Sequence, residues 1–414
     1  MARWTRGRFG RSISMTTTMR NASKPEMPGY PMPLSEEITV SAVMPCLNEA
    51  RTLPTCIARI RQAFTALGIA GEIVVADNGS IDGSREIAAA LGARVVLERR
   101  QGYGSALSAG ISQCQGRIIV MADADDSYDW SRLGDFASKI DEGYDLVVGN
   151  RFLGGIEPGA MPPLHRYFGN PLLSTIARRL YNIPLGDFHC GMRAFTRSAA
   201  ARMVLRTGGM EFATEMVVNA AQAGLRITEI PTRLYQDKRG RPPHLRSFHD
   251  GWRHLRFMVT YAPDVLYLLP GLIMLAVGFA GMCLLSRGAT DVAGFHFGIH
   301  FLALTSLLAL LGANVTAFGV FAKVMNSSRC AIPPKSAVGR LLRVFTLERG
   351  LLAGLTLCVA GLGVDGAILA EWLTRERGDM SETVHLAFVA TTVLVLGVNL
   401  MFGSFLLNMA QEHG

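Results

Sequence analysis

None of the seven cysteines (Cys46, Cys56, Cys114, Cys190, Cys283, Cys330 and Cys358) stands in a C-x-x-C pair. Neither a disulfide framework nor a zinc site is indicated. An apolar h-region is missing from the start of the chain, so residues 1–37 do not read as a signal peptide. They carry Arg3, Arg6, Arg8, Arg11 and Arg20, with no acid before Glu26. This composition fits a disordered basic leader touching anionic lipid, or an over-long start site, better than an organelle transit peptide. Basic clusters interleaved with aromatics are also lacking. The net charge of +8 therefore fits anionic lipid or phosphate and argues against a nucleic-acid partner.

What the chain does have is apolar residues, 49% of its 414, with a mean hydropathy of +0.26. That is too apolar for an ordinary soluble enzyme of this length. The excess is uneven: up to about Pro263 the sequence is mixed, and beyond it long apolar runs alternate with short polar ones.

In the first part, β-branched runs alternate with helical spacing. Ile38 to Met44, Glu72 to Ala76, Arg94 to Leu97, Arg117 to Met121 and Asp145 to Gly149 read as strands. Leu53 to Leu67, Asp82 to Leu91 and Ser105 to Gln113 read as helices. This rhythm predicts a mainly parallel α/β sheet covered on both faces, with ligands at the carboxyl ends of its strands. Those ends are polar: Pro45-Cys46-Leu47-Asn48-Glu49, Asp77-Asn78-Gly79-Ser80 and Asp123-Ala124-Asp125-Asp126. Asp82 and Ser131 read as helix caps. Asp123 and Asp125, on alternate residues after a buried strand, crowd two carboxylates together, which a hard divalent cation relieves.

These motifs resemble those of the family-2 glycosyltransferases, and among them the dolichol-phosphate mannose or glucose synthase-like enzymes. The resemblance runs from Ile38 to Phe257 and includes five segments in the family's order: Pro45-Cys46-Leu47-Asn48-Glu49, Asp77 to Gly83, Asp123-Ala124-Asp125, Asp187 to Phe195 and Glu211 to Glu215. It implies a Rossmann-like GT-A fold, and an inverting transfer from a UDP- or GDP-linked sugar to a polyprenyl or dolichyl phosphate. It further implies nucleotide binding by Pro45, Leu47, Asn48, Glu49, Asp77 and Asp123. Mg2+ or Mn2+ would be held on Asp123 and Asp125, with Asp125 and Arg193 catalytic; Arg151, which follows the strand Asp145 to Gly149, is a further catalytic candidate from its position, for the cationic positioning of phosphate. Arg166, Arg193, Lys238 and Arg239 are the candidates for the lipid phosphate, since guanidinium forks suit phosphate oxygens. For Lys238 and Arg239 a solvated surface run is an equal reading. His165 and His189 read as structural hydrogen-bonders. The chain departs from the family at Asp126-Ser127-Tyr128, at Gly102-Tyr103-Gly104 and at Lys238 to His244. These departures leave the donor open.

From Leu245, the residues Leu245, Phe248, Trp252, Leu255 and Met258 fall at helical spacing opposite Arg246, Arg253 and Arg256, the pattern of an interfacial helix. Four runs are then long enough to span a bilayer: Val265 to Leu285, Phe297 to Met325, Leu351 to Leu373 and Val384 to Met409. The connection after the second holds Arg329, Lys335, Arg340, Arg343 and Arg349 against Glu348 alone. The connection around Arg375 to Asp379 is near neutral. The asymmetry places the basic connection, the catalytic domain and the C-terminus in the cytosol. Asp365, Asn314 and Asn399 lie within the runs, and Asp365 reads as a hydrogen-bonded bundle residue or a functional one.

The expected organisation is thus a leader (1–37), a GT-A domain (38–243), an interfacial helix (244–262) and a four-helix membrane region (263–414). The whole reads as an integral protein of a bacterial inner membrane, with membrane lipid as a partner and a homo-oligomer allowed. Two other readings remain. A processive polysaccharide synthase would carry Q-x-x-R-W, but Gln236-Asp237-Lys238-Arg239 is followed by Gly240. A non-catalytic flippase or tether would have a degenerate nucleotide domain, yet Asp77, Asp123 and Asp125 are intact.

Overall fold

The computed structural model describes residues 38–240, 247–326, 337–374 and 383–412. The leader, Arg241 to His244, Leu245, Arg246, Arg329, Lys335 and the Arg375 to Asp379 connection lie outside the described residues.

Seven strands form one sheet: β1 (Val40–Cys46), β2 (Gly71–Asp77), β3 (Arg94–Leu97), β4 (Ile118–Met121), β5 (Leu146–Asn150), β6 (Arg193–Thr196) and β7 (Ile227–Pro231). Their order is β3-β2-β1-β4-β6-β5-β7. All four residues of β4 and the first five of β1 are buried, as expected of strands covered on both faces. β1 runs parallel to β2 and β4, and β5 parallel to β7. β6 lies antiparallel between β4 and β5. The fold is GT-A-like and mainly parallel, but the alternating rhythm of the sequence did not reveal β6. Arg193-Ala194-Phe195-Thr196 opens on a charged residue, and only the carbonyls that receive that charge make it a buried strand.

The helices of this half are α1 (Leu53–Leu67), α2 (Ser84–Ala90), α3 (Tyr103–Gln113), α4 (Leu133–Asp141), α5 (Arg151–Gly154), α6 (Asn170–Tyr181), α7 (Arg197–Met203), α8 (Phe212–Gln222) and α9 (Ser247–Thr260). α1 shows why the sequence folds as it does. Pro54 sits in its first turn, and Leu53, Cys56, Ile57, Ile60 and Phe64 bury one face. Gly68 ends it at φ +63°, a conformation that costs glycine little.

A widened turn, Asp264–Leu268, leads into α10 (Leu269–Leu285). A short hairpin follows, β8 (Thr290–Val292) and β9 (Phe295–Phe297), then α11 (Ile299–Met325), α12 (Ala337–Val344), α13 (Leu347–Thr374) and α14 (Val384–Glu412). Among the described residues four helical segments are long and apolar enough to cross a membrane: Asp264–Leu285, Ile299–Met325, Leu347–Thr374 and Val384–Gln411. The shortest has 22 residues, about 33 Å of helix against a hydrocarbon core of about 30 Å. α10 packs on α11, α11 on α14, and α14 on α13. A Cβ on Gly278 would lie 2.4 Å from the Ala309 amide nitrogen, and one on Gly354 would lie 2.7 Å from the Gly397 carbonyl oxygen. Backbones therefore meet directly, as lipid-embedded helices do when small residues face each other. Ser306 bonds Thr392 at 2.6 Å, and the Asn399 amide donates to Asn314 at 3.2 Å. The Asp365 side chain has no hydrogen bond among the described residues.

Candidate active site

The ends of β1 and β2 are tied to each other through side chains. Asn48, at φ +59°, accepts the Ile81 amide at 2.8 Å and donates its own amide to Ser80 Oγ at 2.9 Å. The Glu49 amide donates to Ser84 Oγ, and the Ala50 amide to Asp82, each at 2.9 Å. Asp82 also accepts the Ser84 amide at 3.0 Å, but the N-cap of α2 is Gly83, so Asp82 ties the two loops from one position before the cap it was expected to be. Buried Asp77 accepts the amides of Gly79 and Ser80 at 3.0 and 3.2 Å. Asn78 donates to the Arg100 carbonyl at 2.8 Å and accepts the Gly102 amide at 2.7 Å, which fixes the entry into α3.

The third cluster follows β4. The Tyr103 hydroxyl bonds Asp123, and a Cβ on Gly191 would come within 2.8 Å of an Asp123 oxygen, so only glycine leaves that carboxylate its place. Asp125 accepts Ser127 through its amide at 3.1 Å and its hydroxyl at 2.6 Å. The other oxygen of Asp125 receives the Arg239 guanidinium, whose Nε stands 3.5 Å from Glu49. Asp126, at φ +62°, lies between Arg59 and Lys238, each at 2.6 Å. Burial first, and the Asp125 charge second, push the Asp123 carboxyl up to about 6, with Arg239, Tyr103 and Arg151 opposing. Beside this cluster lies a cavity of about 310 Å3 that Thr52, Thr55, Asp126 and Lys238 help to line.

The rim thus gathers Glu49, Asp123, Asp125 and Asp126, and Arg59, Lys238 and Arg239 from outside the cluster pair with Glu49, Asp125 and Asp126, whereas among the described residues Asp123 has only the Tyr103 hydroxyl. Hard oxygen donors on Asp123 and Asp125 fit Mg2+ or Mn2+. Among the described residues no group of three or more His, Cys, Asp or Glu could hold an ion by itself, so further oxygens would have to come from a ligand.

The arginines are placed differently from the sequence-based expectation. Arg193 is 0% exposed. Its Nε donates to the Cys190 carbonyl at 2.8 Å and its Nη2 to that of Phe188 at 2.7 Å, while Nη1 reaches Ala213. A guanidinium that is enclosed and bonded at all three nitrogens does not reach a lipid phosphate, so Arg193 acts by holding the Asp187 to Phe195 segment. Arg151 is likewise buried and forks onto Asp187 at 2.6 and 2.8 Å. It positions the wall of the site. Lys238 and Arg239 stand on Asp126, Asp125 and Glu49, the acidic rim. Arg166 remains partly exposed on the widened turn His165–Gly169, stacked 5.5 Å from the Tyr167 ring centroid. Glu215 accepts the amides of Arg206 and Thr207 at 3.0 and 2.8 Å. It thereby fixes a loop whose Gly208 carbonyl accepts the Gly104 amide.

His189 does not serve as the hydrogen-bonder that was expected: both ring nitrogens are buried without a partner among the described residues. Its ring meets His254 of α9 edge-on at 4.7 Å, and His254 pairs with Thr214 at 2.8 Å. On α9, His254, Phe257 and Met258 face the domain, whereas Phe248 and Trp252 are exposed. Met258 was expected on the membrane side with these two. Its burial, with Tyr181 donating to its carbonyl at 2.6 Å, puts it on the protein side instead. Sequence reasoning also missed Arg59 and Tyr103. The unusual Tyr in Gly102-Tyr103-Gly104 was the available signal for the second.

Residues 41–203 match the pattern of glycosyl transferase family 2, and residues 320–411 match the family-2 C-terminal transmembrane region. A low-salt glycan biosynthesis hexosyltransferase from Haloferax volcanii is 38% identical over 379 residues, covering 90% of this chain and 89% of that one. The chain is a family-2 glycosyltransferase. This glycosyltransferase is also 32% identical to a dolichyl-phosphate hexose transferase of Haloferax volcanii, over 49% of this chain and 84% of that one. An undecaprenyl-phosphate 4-deoxy-4-formamido-L-arabinose transferase of Salmonella paratyphi B is 31% identical over 46% of this chain and 58% of that one. The family-2 enzyme is an integral membrane protein whose catalytic domain precedes its apolar helices.

Proposed function

We propose that the enzyme transfers a hexose from a UDP- or GDP-linked donor to a polyprenyl phosphate, with inversion at the sugar. The observation that carries this reading is the acidic rim of Glu49, Asp123, Asp125 and Asp126 on a chain whose membrane helices match the family's own transmembrane region. The naming of relatives as dolichyl-phosphate and undecaprenyl-phosphate transferases supports a polyprenyl phosphate acceptor. Asp123 and Asp125 would hold Mg2+ or Mn2+ with the donor's diphosphate, and the ion would stabilise the charge of the departing nucleotide. Asn48, Glu49 and Asp77, fixed by the hydrogen bonds between the first two loops, would seat the nucleotide. Arg239 and Lys238 already stand on these acids, and so are placed to follow the diphosphate when it arrives.

The acceptor phosphate has a second pKa near 6, by analogy with phosphorylated side chains. It arrives ionised and needs no strong protein base. The partial exposure of Arg166, where Arg151 and Arg193 are enclosed, supports it as the arginine that would meet the acceptor. Phe248 and Trp252, exposed on α9, support the interfacial role of that helix. The basic connection carrying Arg340, Arg343 and Arg349 supports a cytosolic catalytic domain. Incubating the detergent-purified enzyme with a panel of nucleotide-sugars, and with either polyprenyl phosphate or the bare alcohol, tests the proposal. One donor should give a lipid product with the phosphate and none with the alcohol. Efficient transfer to the alcohol would refute the phosphate acceptor.

A further inference from the structure

The membrane bundle encloses a cavity of about 350 Å3, and its lining includes Leu275, Ala317, Phe321, Leu357 and Leu400. Among the described residues no charged residue lines it. Asn314 and Asn399, bonded to each other at 3.2 Å, are its most polar boundary. α12 contributes Leu341 to the lining, as does Phe345 just beyond its end, and Leu341 is 44% exposed, so the cavity opens at this helix. Arg340 and Arg343 of α12 are exposed, which suits a short helix lying among lipid phosphates with its apolar side inward.

The cavity joins the stem of the catalytic domain. Leu268, in the turn that connects α9 to the bundle, packs in one cluster with Phe321 and Phe345 of the cavity wall. Lys323 of α11 bonds Asp264 of the same turn at 2.6 Å. An apolar space in the membrane, open beside the stem, suits a hydrocarbon chain better than water, which needs polar partners. Bulk acyl chains have no tie to the catalytic domain. The acceptor's chain does, because its phosphate must reach the acidic rim, and a tethered second contact gains from a high effective concentration. Ala313, Ala317 and Gly403 are small residues of the lining, and small side chains leave room for the branch methyls of an isoprenoid.

We propose that this cavity binds the isoprenoid chain of the acceptor, so that the bundle selects the lipid by its tail while the catalytic domain binds its phosphate. The proposal rests on the polyprenyl phosphate reading above and adds the site of the chain.

Gly403→Leu tests it with little strain, because a Cβ there meets only Phe321, at 3.9 Å. Ala317→Phe is the second filling variant, and Leu352→Phe on the exposed face of α13 is the control. Both filling variants should raise KM for a long polyprenyl phosphate about tenfold or more and leave kcat/KM for a short, soluble prenyl phosphate unchanged. The control should change neither. Equal effects on both acceptors, or none on either, in folded filling variants would overturn the proposal. A polyprenyl phosphate with a diazirine in its tail, added to the wild-type enzyme in phosphatidylcholine and phosphatidylglycerol vesicles, gives a readout that needs no turnover. Label should fall on Phe321, Leu400 or their neighbours and be displaced by unlabelled polyprenyl phosphate, not by extra phospholipid. Labelling elsewhere, or displacement by phospholipid, counts against the cavity. If the wild type transfers to neither acceptor, the acceptor reading falls, and the labelling still decides whether the cavity holds a prenyl chain.

Discussion

The catalytic half and the membrane half of this chain are held together by opposite means. Around the sheet, large side chains such as Trp130, Phe136, Phe188 and Phe212 are fully buried, and buried charges are matched by partners, as in Arg151 with Asp187. In the bundle the exposed surface is leucine, valine and phenylalanine, while the close contacts are made by Gly271, Gly278, Gly312, Gly354 and Gly397. Water supplies the difference. It drives apolar side chains inward in the first half, whereas lipid tails are as apolar as leucine and leave close backbone packing and a few polar pairs to hold the second. The first half can therefore keep polar groups in fixed places and build a site, and the second can keep a cavity open to chains.

The sharpest test of the catalytic half is Asp125→Asn. It should retain fold and membrane insertion while transfer falls about a thousandfold, the worth of several kcal/mol of charge stabilisation. Near-normal turnover by a folded variant would remove Asp125 from the chemistry. The contrast between structural and contact arginines comes next. Arg193→Met should destabilise the detergent-solubilised protein by about 3 kcal/mol or more, since three buried carbonyls lose their donor. Arg166→Ala should leave thermal stability unchanged and raise only the acceptor KM. If Arg193→Met melts like the wild type, its role is not structural.

A third test concerns acid. Burial holds the His254 imidazole down to about 4, with Glu211 and Asp250 pulling the other way. The unfolded chain then binds more protons between its ordinary value near 6.5 and about 4, so His254 makes stability fall as pH drops through that window. The loss is of order 3 kcal/mol at its limit. His254→Gln should flatten the stability profile measured by denaturant titration between those pH values, and an unchanged slope would assign the acid sensitivity elsewhere. The smallest effect is expected in the bundle. Gly278→Leu should cost about 2 kcal/mol by forcing α10 away from Ala309, lowering the melting temperature in detergent. Nucleotide binding by the catalytic half should survive, and its loss would show that the two halves are not separable in this way.

Much of this was legible in the sequence because it depends on local pattern. The predicted helix Leu53 to Leu67 coincides with α1, and strand Arg94 to Leu97 with β3, since period and turn residues act over a few neighbours. The four apolar runs needed only length and hydropathy. The gathering of Glu49, Asp77, Asp123 and Asp125 on one rim followed from a general property of parallel sheets. The antiparallel β6, the enclosure of Arg193 and the placing of Arg239 on Asp125 were not legible in the same way. Each depends on partners distant in the sequence: the Ala213 carbonyl for Arg193, and a carboxylate 114 residues away for Arg239. An arginine in a motif looks the same whether it meets solvent, a phosphate or a carbonyl.

By itself, the sequence determined the two solvents of this protein, the first five strands and the spans, and the residue types available to the rim, because these follow from short-range periodicity and composition. Only the tertiary structure decided which arginines are enclosed and which remain exposed, where the rim's counter-charges come from, and that the bundle leaves a cavity beside the stem of the catalytic domain. Those outcomes depend on the distance between groups far apart in the chain, and charge, burial and packing all depend on that distance.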